Sequence, residues 1–355
     1  MPSVSVVMAV RNAARHLAPA IDSVLAQSMG DFELVVVDDG STDDSRAIVA
    51  ARGDRRIVVV DNPCPLRGYG AARALNLGLA RARSDVIARM DGDDVAHPSR
   101  LERQLAVLAA RPDVAMVGAQ GRVIDVAGRV VRPLNRPLSP AAIRWTQLID
   151  NPFVHSAVTF RKKAVVDVGG YDESSLWMED WDLWSRLLAG HPVLNLRDRL
   201  VDYRDHSATA TRMRDPDRSR AVAGRIIARS AETVVGRQLD GDEARMLASF
   251  GLGLERRDVR AFVTLLVQLA REFRRREPDA ARAAEPTRTL ASQLDAAAAR
   301  VRPSSRAAAL SVYCAGIAAS PGIMRWLPWS RVSARLILGP SAVHRLGRGG
   351  RRCPE

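Results

Sequence analysis

The densest chemistry in the chain lies between Ile87 and Asp94, in the stretch I-A-R-M-D-G-D-D. Asp91, Asp93 and Asp94 fall within four residues, and Gly92 gives the backbone freedom to turn between the first two. Carboxylates this close repel one another and raise each other's pKa unless a cation sits among them. One or two carboxylates completed by substrate phosphates are a common way of holding Mg2+ or Mn2+. No basic residue interrupts the three, so the spacing predicts a divalent-cation site. An isolated D-x-D-D has a blander reading as a solvated acidic turn. Two further acidic groups stand elsewhere in the first 210 residues: Asp38-Asp39-Gly40, and Glu179, Asp180 and Asp182 within W-M-E-D-W-D-L-W. Trp181, Trp184, Leu187 and Leu188 share one helical face and read as core. The three acids beside them are then expected to face solvent or a site.

Something must bring these groups together, and the hydropathy pattern supplies it. Apolar strands are predicted at Ser3 to Val10, Phe32 to Val37, Ile57 to Val60 and Val86 to Met90. Helical spacing fills the intervals, over Ala13 to Gln27, from Ser41 onward, and over Gly70 to Ala82. Ser41 and Asp44 stand at capping-box spacing. Strands alternating with helices imply a parallel sheet with right-handed crossovers, and unbroken apolar strands imply that both faces are covered. In such sheets ligands bind beyond the carboxyl ends of the strands. Val10-Arg11-Asn12, Asp38-Asp39 and Asp91 to Asp94 all occupy such ends. Downstream, Pro98 opens a helix with Leu101, Leu105 and Leu108 on its apolar face. Val114 to Gly118 reads as a strand, Gly121 to Val131 as a hairpin around Ala127-Gly128, and Ser156 to Phe160 as a strand. Gly169-Gly170 reads as a turn. Gly68-x-Gly70 lacks the third glycine of a dinucleotide fingerprint and follows the third strand, which argues against that use.

The chain has 355 residues, 47% hydrophobic and 26% charged, enough for a packed core and too apolar for wholesale disorder. Three scattered cysteines suggest neither a disulfide framework nor a zinc site. The N-terminus runs into a strand pattern with no basic leader, and no apolar run reads as a membrane span. The net charge of +13 is unevenly placed. Residues 1–210 balance 26 basic against 26 acidic side chains, whereas 211–355 carry 27 against 14. From Arg300 onward there are ten arginines and one acid, Glu355, together with Trp326 and Trp329. A neutral head with a basic tail suggests a polyanion partner, an anionic membrane surface or nucleic acid. The tryptophan-bearing stretch reads equally as a packed amphipathic hairpin or an interfacial membrane segment. After Arg212 helical patterns dominate, clearest at Phe262, Leu265, Leu266, Leu269 and Phe273.

With these residues placed, the first 210 resemble the family 2 glycosyltransferases of the GT-A fold, of the bacterial surface-polysaccharide type. The pieces that carry the likeness are V-S-V-V-M-A-V-R-N, V-V-V-D-D-G-S-T-D, the G-x-x-A-x-x-L-N-x-G-L helix, and I-A-R-M-D-G-D-D-V-A-H-P-S-R-L-E-R-Q. N-P-F-V-H, V-G-G-Y-D-E, M-E-D-W-D-L-W and Tyr203-Arg204-Asp205-His206 follow in order. The resemblance implies an α/β architecture: a Rossmann-like, mostly parallel sheet flanked by helices in residues 1–210. A mainly helical, basic region would follow over 211–355. It implies that Asp39 and Asn12 shape the nucleotide-base pocket and that Arg73 serves the diphosphate. Asp91 and Asp93 would meet ribose and metal-bound diphosphate, His206 would reach the metal, and Asp180 would be the general base. The family usually has proline and tyrosine, one residue apart, where this chain has Ala9 and Arg11; a guanidinium plane can stack on a base in the tyrosine's stead.

The activity implied is inverting, metal-dependent hexosyl transfer from a nucleotide-diphosphate sugar, with a UDP-sugar favoured. The acceptor would be a lipid-linked saccharide at the cytoplasmic face of the plasma membrane. Nucleotidyl transfer also uses a Rossmann-like domain with metal carboxylates. It normally needs a glycine-rich, lysine-containing loop after the first strand, and Val10 to Arg15 offers neither residue. A non-enzymatic polyanion binder would carry its positive charge on the folded surface, and the neutral first 210 residues argue against that and against nucleic acid.

Overall fold

The computed structural model describes residues 1–64, 71–206, 215–252 and 258–276. The strands are β1 (Val4–Val10), β2 (Phe32–Asp38), β3 (Ile57–Asp61), β4 (Val86–Asp91), β5 (Val95–Ala96), β6 (Met116–Ile124), β7 (Val130–Leu134), β8 (Thr159–Arg161) and β9 (Val193–Arg204). They form one mixed sheet in the order β3-β2-β1-β4-β8-β6-β9-β5, with β7 hydrogen-bonded to β6. The first four strands are mutually parallel, and β8 enters antiparallel between β4 and β6. All four strands expected in the first half are present, as is the β6–β7 hairpin around Gly128, whose φ is 81°. The helices α1 (Ala14–Leu25), α2 (Ser45–Ala50), α3 (Ala72–Arg81), α4 (Arg100–Ala110), α5 (Pro140–Gln147), α6 (Lys162–Asp167) and α7 (Glu179–Leu187) connect them. This is the α/β, GT-A arrangement, and a helical region follows it.

The apolar runs are explained by the two faces of the sheet. Val4, Val6, Met8 and Val10 of β1 pack with Leu17, Ile21 and Val24 of α1, while Val7, between them, packs with Leu75 and Leu79 of α3. Alternate side chains go to opposite layers, so nearly every position of the strand is apolar, and the exception, Ser5, is buried with its hydroxyl donated to Glu33. Each such residue stabilises the fold by about 1.5–3 kcal/mol relative to exposure.

Behind β4 the packing is polar. Arg100 is fully buried and donates to the carbonyls of Arg89 (2.7 Å) and Val158 (3.1 Å) and to Gln104 Oε1 (3.1 Å). Gln104 Nε2 in turn donates to Val117 and Ala157, and Thr159 donates to its Oε1. One arginine and one glutamine of α4 thus tie β4, β6 and β8 together. With no carboxylate partner, burial lowers the Arg100 pKa to about 9. The capping box expected at Ser41 and Asp44 does not form. Helix α2 starts at Ser45, Asp43 accepts from Ser45 N and Ala14 N, and Ser41 Oγ accepts from Asn12 N. Ser41, Ser45 and Asp43 of this turn are used to pin the β1–α1 loop.

Contacts divide the chain into two compact units, Met1–Ile226 and Ile227–Glu355. The division falls within α8 (Pro216–Val235). In the second unit come α9 (Gly241–Leu252) and α10 (Val259–Arg276). Phe262, Leu265, Leu266, Leu269 and Phe273 are all buried, and Arg274, Arg275 and Arg276 occupy the last turn of α10, where cations suit the helix dipole. No helix among the described residues is long and apolar enough to cross a membrane. Gly68, Gly70, Trp326, Trp329 and the basic tail lie outside the described residues.

Candidate active site

Strand register aligns the functional side chains. Val10 pairs with Asp38, and Ala9 pairs with Asp91, so the carboxyl ends of β2, β1 and β4 finish side by side. Just past these ends stand Arg11, Asn12, Asp39 and the acidic turn Asp91 to Asp94. The three clusters read from the sequence therefore occupy one edge of the sheet.

Asp39 is buried beside the end of β1 and its Oδ1 accepts from Asn62 Nδ2 at 2.5 Å. Burial raises its pKa, while Asn62 and the charges of Arg11 and Arg73 pull the other way. Asn12 sits in the left-handed region with φ 48°, which asparagine tolerates better than most residues. Its side-chain oxygen accepts from Thr42 N at 2.8 Å, locking the β1–α1 loop to the β2–α2 loop. Arg73, near the start of α3, donates to Glu173 (2.6 Å) and to the carbonyl of Cys64 (3.0 Å). It is thus a rim cation that already has a carboxylate partner.

The acidic turn corrects one sequence expectation. A basic residue does neutralise part of it: Arg89 of β4 is buried and makes a two-pronged pair with Asp91, while Ser156 Oγ donates to the same carboxylate at 2.8 Å. Burial alone would raise the Asp91 pKa, but the Arg89 charge outweighs it and the net shift is downward. Among the described residues Asp93 and Asp94 have no arginine or lysine side chain paired with them. Burial and the neighbouring Asp91 charge raise Asp93, and burial with the Asp93 and Asp91 charges raises Asp94 well above the usual range. Asp93 Oδ2 lies 2.9 Å from His206 Nε2. Asp94 Oδ1 accepts from Arg204 N at 2.7 Å, and its other, buried oxygen has no hydrogen-bond partner among the described residues. Carboxylate oxygens of all three lie within 4.8 Å of one another. An unpartnered buried oxygen within a carboxylate trio fits a divalent cation, because repulsion left without a counter-charge is what a cation relieves.

The last carboxylate comes from the far side. Gly169 and Gly170, with φ 90° and 67°, turn the chain so that Tyr171 lies against α3. There Asn76 accepts from Tyr171 N and donates to Tyr171 O, at 2.9 and 2.8 Å. Helix α7 then begins with Glu179 and Asp180. Asp180 Oδ2 accepts from Asn151 Nδ2 at 2.6 Å, so the N-P-F-V-H and E-D stretches meet in space. The neighbouring acids do not face solvent. Glu179 is buried and accepts from Ala71 N at 3.2 Å, and Asp182 is buried in a pair with Arg186 at 2.6 Å. Trp181, Trp184 and Leu187 are core, as the helical spacing required.

Sequence reasoning missed Arg89, Ser156, Arg204 and Asn62 as parts of the site. For Arg89 a signal existed: residues two apart on a strand share a face, so Arg89 and Asp91 must point the same way. The others come from distant stretches, and no local spacing announces them.

Comparison with known proteins agrees with this geometry. The chain is similar to the amylovoran biosynthesis glycosyltransferase AmsE of Erwinia amylovora, 36% identical over 200 residues, covering 56% of this chain and 74% of that one. It is 31% identical over 210 residues to the O-antigen biosynthesis glycosyltransferase WbnJ of Escherichia coli, covering 58% and 80%. Among solved structures it resembles S. aureus TarS 1-349 in complex with UDP-GlcNAc, with a TM-score of 0.54, 16% identity and coverage of 92% and 93%. The same protein in complex with UDP gives a TM-score of 0.53 at 16% identity, covering 91% of each chain. The glycosyl transferase family 2 model matches residues 5–169, a span that includes Asp39, Arg89 and the whole acidic turn. On this sequence, this sheet and these relatives, the chain belongs to glycosyltransferase family 2.

Proposed function

We propose that residues 1–210 form the catalytic module of an inverting hexosyltransferase that depends on Mg2+ or Mn2+. The donor is a nucleotide-diphosphate sugar, with a UDP-sugar favoured, and the acceptor is a lipid-linked saccharide in cell-surface polysaccharide biosynthesis. The observation that carries this reading is the alignment of Asp39 and Asp91 to Asp94 on adjacent strand ends, with Asp180 standing apart as a separate carboxylate. Polysaccharide-pathway names among the relatives, and TarS structures holding UDP and UDP-GlcNAc, support it. In this reading the work is done at the cytoplasmic face of the plasma membrane, a location that the basic tail supports.

In the reaction the acceptor oxygen bonds to the anomeric carbon as the bond from that carbon to the diphosphate oxygen breaks. The nucleoside diphosphate departs with the electron pair, and a single displacement inverts the centre. Asp180 accepts the acceptor proton, the task of a general base within hydrogen-bond reach. Asp39 bonds the base, Asn12 shapes its pocket through the loop lock at Thr42, and Val10 and Arg11 form its floor. Arg73 serves the diphosphate. Asp91, Asp93 and His206 would hold the cation, which supplies positive charge to the leaving diphosphate when bound.

A panel of UDP-, dTDP- and GDP-sugars tests the reading through cation-dependent turnover, with Asp180→Asn as the decisive variant. It should lower kcat by about a hundredfold or more and leave donor affinity nearly unchanged. Asp180→Asn binding UDP about tenfold worse, with Glu179→Gln losing the catalysis, would reverse the two roles.

A further inference from the structure

Three side chains behind Asp180 have no part in the chemistry above, yet they are placed with care. His155 Nδ1 lies 4.0 Å from Asp180 Oδ2, the oxygen that Asn151 already engages. His155 Nε2 lies 3.1 Å from the Tyr171 hydroxyl. Tyr171 is only 3% exposed, and its main chain is clamped on both sides by Asn76. The rings of His155 and Tyr171 are 5.7 Å apart, and Trp184 meets His155 edge-on at 6.0 Å. The imidazole is therefore walled in and cannot turn freely.

The proton count decides the direction of these contacts. A buried tyrosine hydroxyl has one hydrogen to donate, and burial raises the Tyr171 pKa, so the hydrogen stays on. Among the described residues its partner is His155 Nε2. If the hydroxyl donates there, Nε2 is an acceptor, and the neutral ring must carry its own hydrogen on Nδ1, facing Asp180. The reverse arrangement would leave a buried O–H unpaired and turn a nitrogen lone pair toward a carboxylate. It is disfavoured twice over. Burial and the nearby Arg89 charge hold the His155 pKa at about 4, so the ring stays neutral in this setting. The charged groups facing the pair are Arg89 and Asp91 from β4 and Glu179 and Asp180 from α7.

We propose that Tyr171 and His155 are a positioning pair: the Tyr171 hydroxyl fixes the tautomer of His155, and its Nδ1–H orients Asp180. With Oδ2 held by Asn151 and facing this N–H, Oδ1 keeps a lone pair to receive the acceptor proton beside its bond from Trp181 N. The pair rests on the reading of Asp180 as the base. It explains why N-P-F-V-H and G-G-Y, far apart in sequence, are folded against the start of α7. Neither residue touches the reacting atoms.

The test has one arm that needs no substrate. The full chain, labelled with 15N-histidine, is examined by long-range 1H–15N correlation between pH 6 and 8, with His155 assigned by its loss in His155→Asn. The expected result is a neutral Nδ1–H ring in the wild type and a shift toward Nε2–H in Tyr171→Phe, a change of one oxygen atom. An Nε2–H ring in the wild type, or an unchanged signal in Tyr171→Phe, overturns the proposal. The kinetic arm compares His155→Asn, whose amide can donate from the Nδ1 position, with His155→Leu, which cannot. His155→Asn should hold kcat within about threefold and His155→Leu should lose about tenfold or more, with donor KM unchanged in both. Equal losses overturn the orienting role. Wild-type turnover by Asp180→Asn would instead defeat the base assignment, and the tautomer measurement would still stand by itself.

Discussion

Asp91 and Asp93 are separated by one glycine but sit in opposite electrostatic surroundings. The first is neutralised by Arg89, and the second leans on His206 with its pKa raised. A bound cation would therefore be needed most at Asp93 and Asp94. Asp93→Ala should abolish turnover while leaving the thermal unfolding temperature near that of the wild type. Titrating EDTA into the wild-type assay should do the same, and full activity in excess chelator would disprove the cation requirement. A second residue-level expectation concerns pH. His155 has a folded pKa of about 4 against 6.5 for the free side chain. The unfolded chain takes up this proton first as pH falls. The stabilisation is thus complete above about 6.5 and lost progressively toward 4, on the order of 3 kcal/mol for this one group. Unfolding midpoints measured across pH 4.5 to 7.5 should fall less steeply in His155→Asn, and an identical slope would show that His155 is not buried neutral. Most of the chemical groups were legible from the sequence because each sits at the end of an apolar strand. Their partners were not. Arg89 and Arg204 carry charges that read as surface; strand spacing hints at the Arg89–Asp91 pair, but only tertiary structure reveals that the Arg204 backbone N–H closes on Asp94.

At the scale of elements, apolar runs located β1, β2 and β4 because both faces of the sheet are covered there, and they located β3 as well, although Val58 and Val59 of this edge strand stay exposed. Helix α4 shows where that signal stops. Its apolar face was readable at Leu101 and Leu108, but Arg100 and Gln104 are as deeply buried and serve backbone carbonyls. Patterning by hydrophobicity has no means of assigning a charged residue to the interior. Helix α3 positions Arg73 and Asn76, and its distance from the sheet is set by Gly78. A Cβ at Gly78 would come within 2.5 Å of Val7 Cγ1 and 3.2 Å of Val37 Cγ2. Both valines are branched at Cβ and stiff within a full core, so the helix would have to move instead. Gly78→Ala should therefore destabilise the protein by about 1–3 kcal/mol in urea unfolding, despite alanine's better helix propensity. An unchanged or raised midpoint would show that α3 has slack against the sheet.

Across the whole molecule, charge is divided between a balanced first 210 residues and a basic remainder. The ten arginines from Arg300 onward predict peripheral association with anionic vesicles, each basic group near the surface contributing roughly 1 kcal/mol. Raising salt should release the protein, since the screening length shortens from about 10 Å at 0.1 M to about 3 Å at 1 M. Co-sedimentation of the full chain against one ending near Glu277 measures this, and equal binding by both would remove the tail from the interaction. The long strand β9 has a different kind of consequence. Its last residue, Arg204, donates to Asp94 and to the carbonyl of Asp93, and His206 reaches Asp93, across 110 to 113 positions of sequence. Contacts between such distant positions must overcome the entropy of closing a long loop, and they form late. On the ribosome, the acidic turn emerges well before the segment that completes its surroundings. The nascent first half can assemble β1 to β4 and still have no finished cradle for a cation or a nucleotide. Catalytic competence is therefore timed by synthesis of residues 193–206, which form the last strand of the sheet among the described residues.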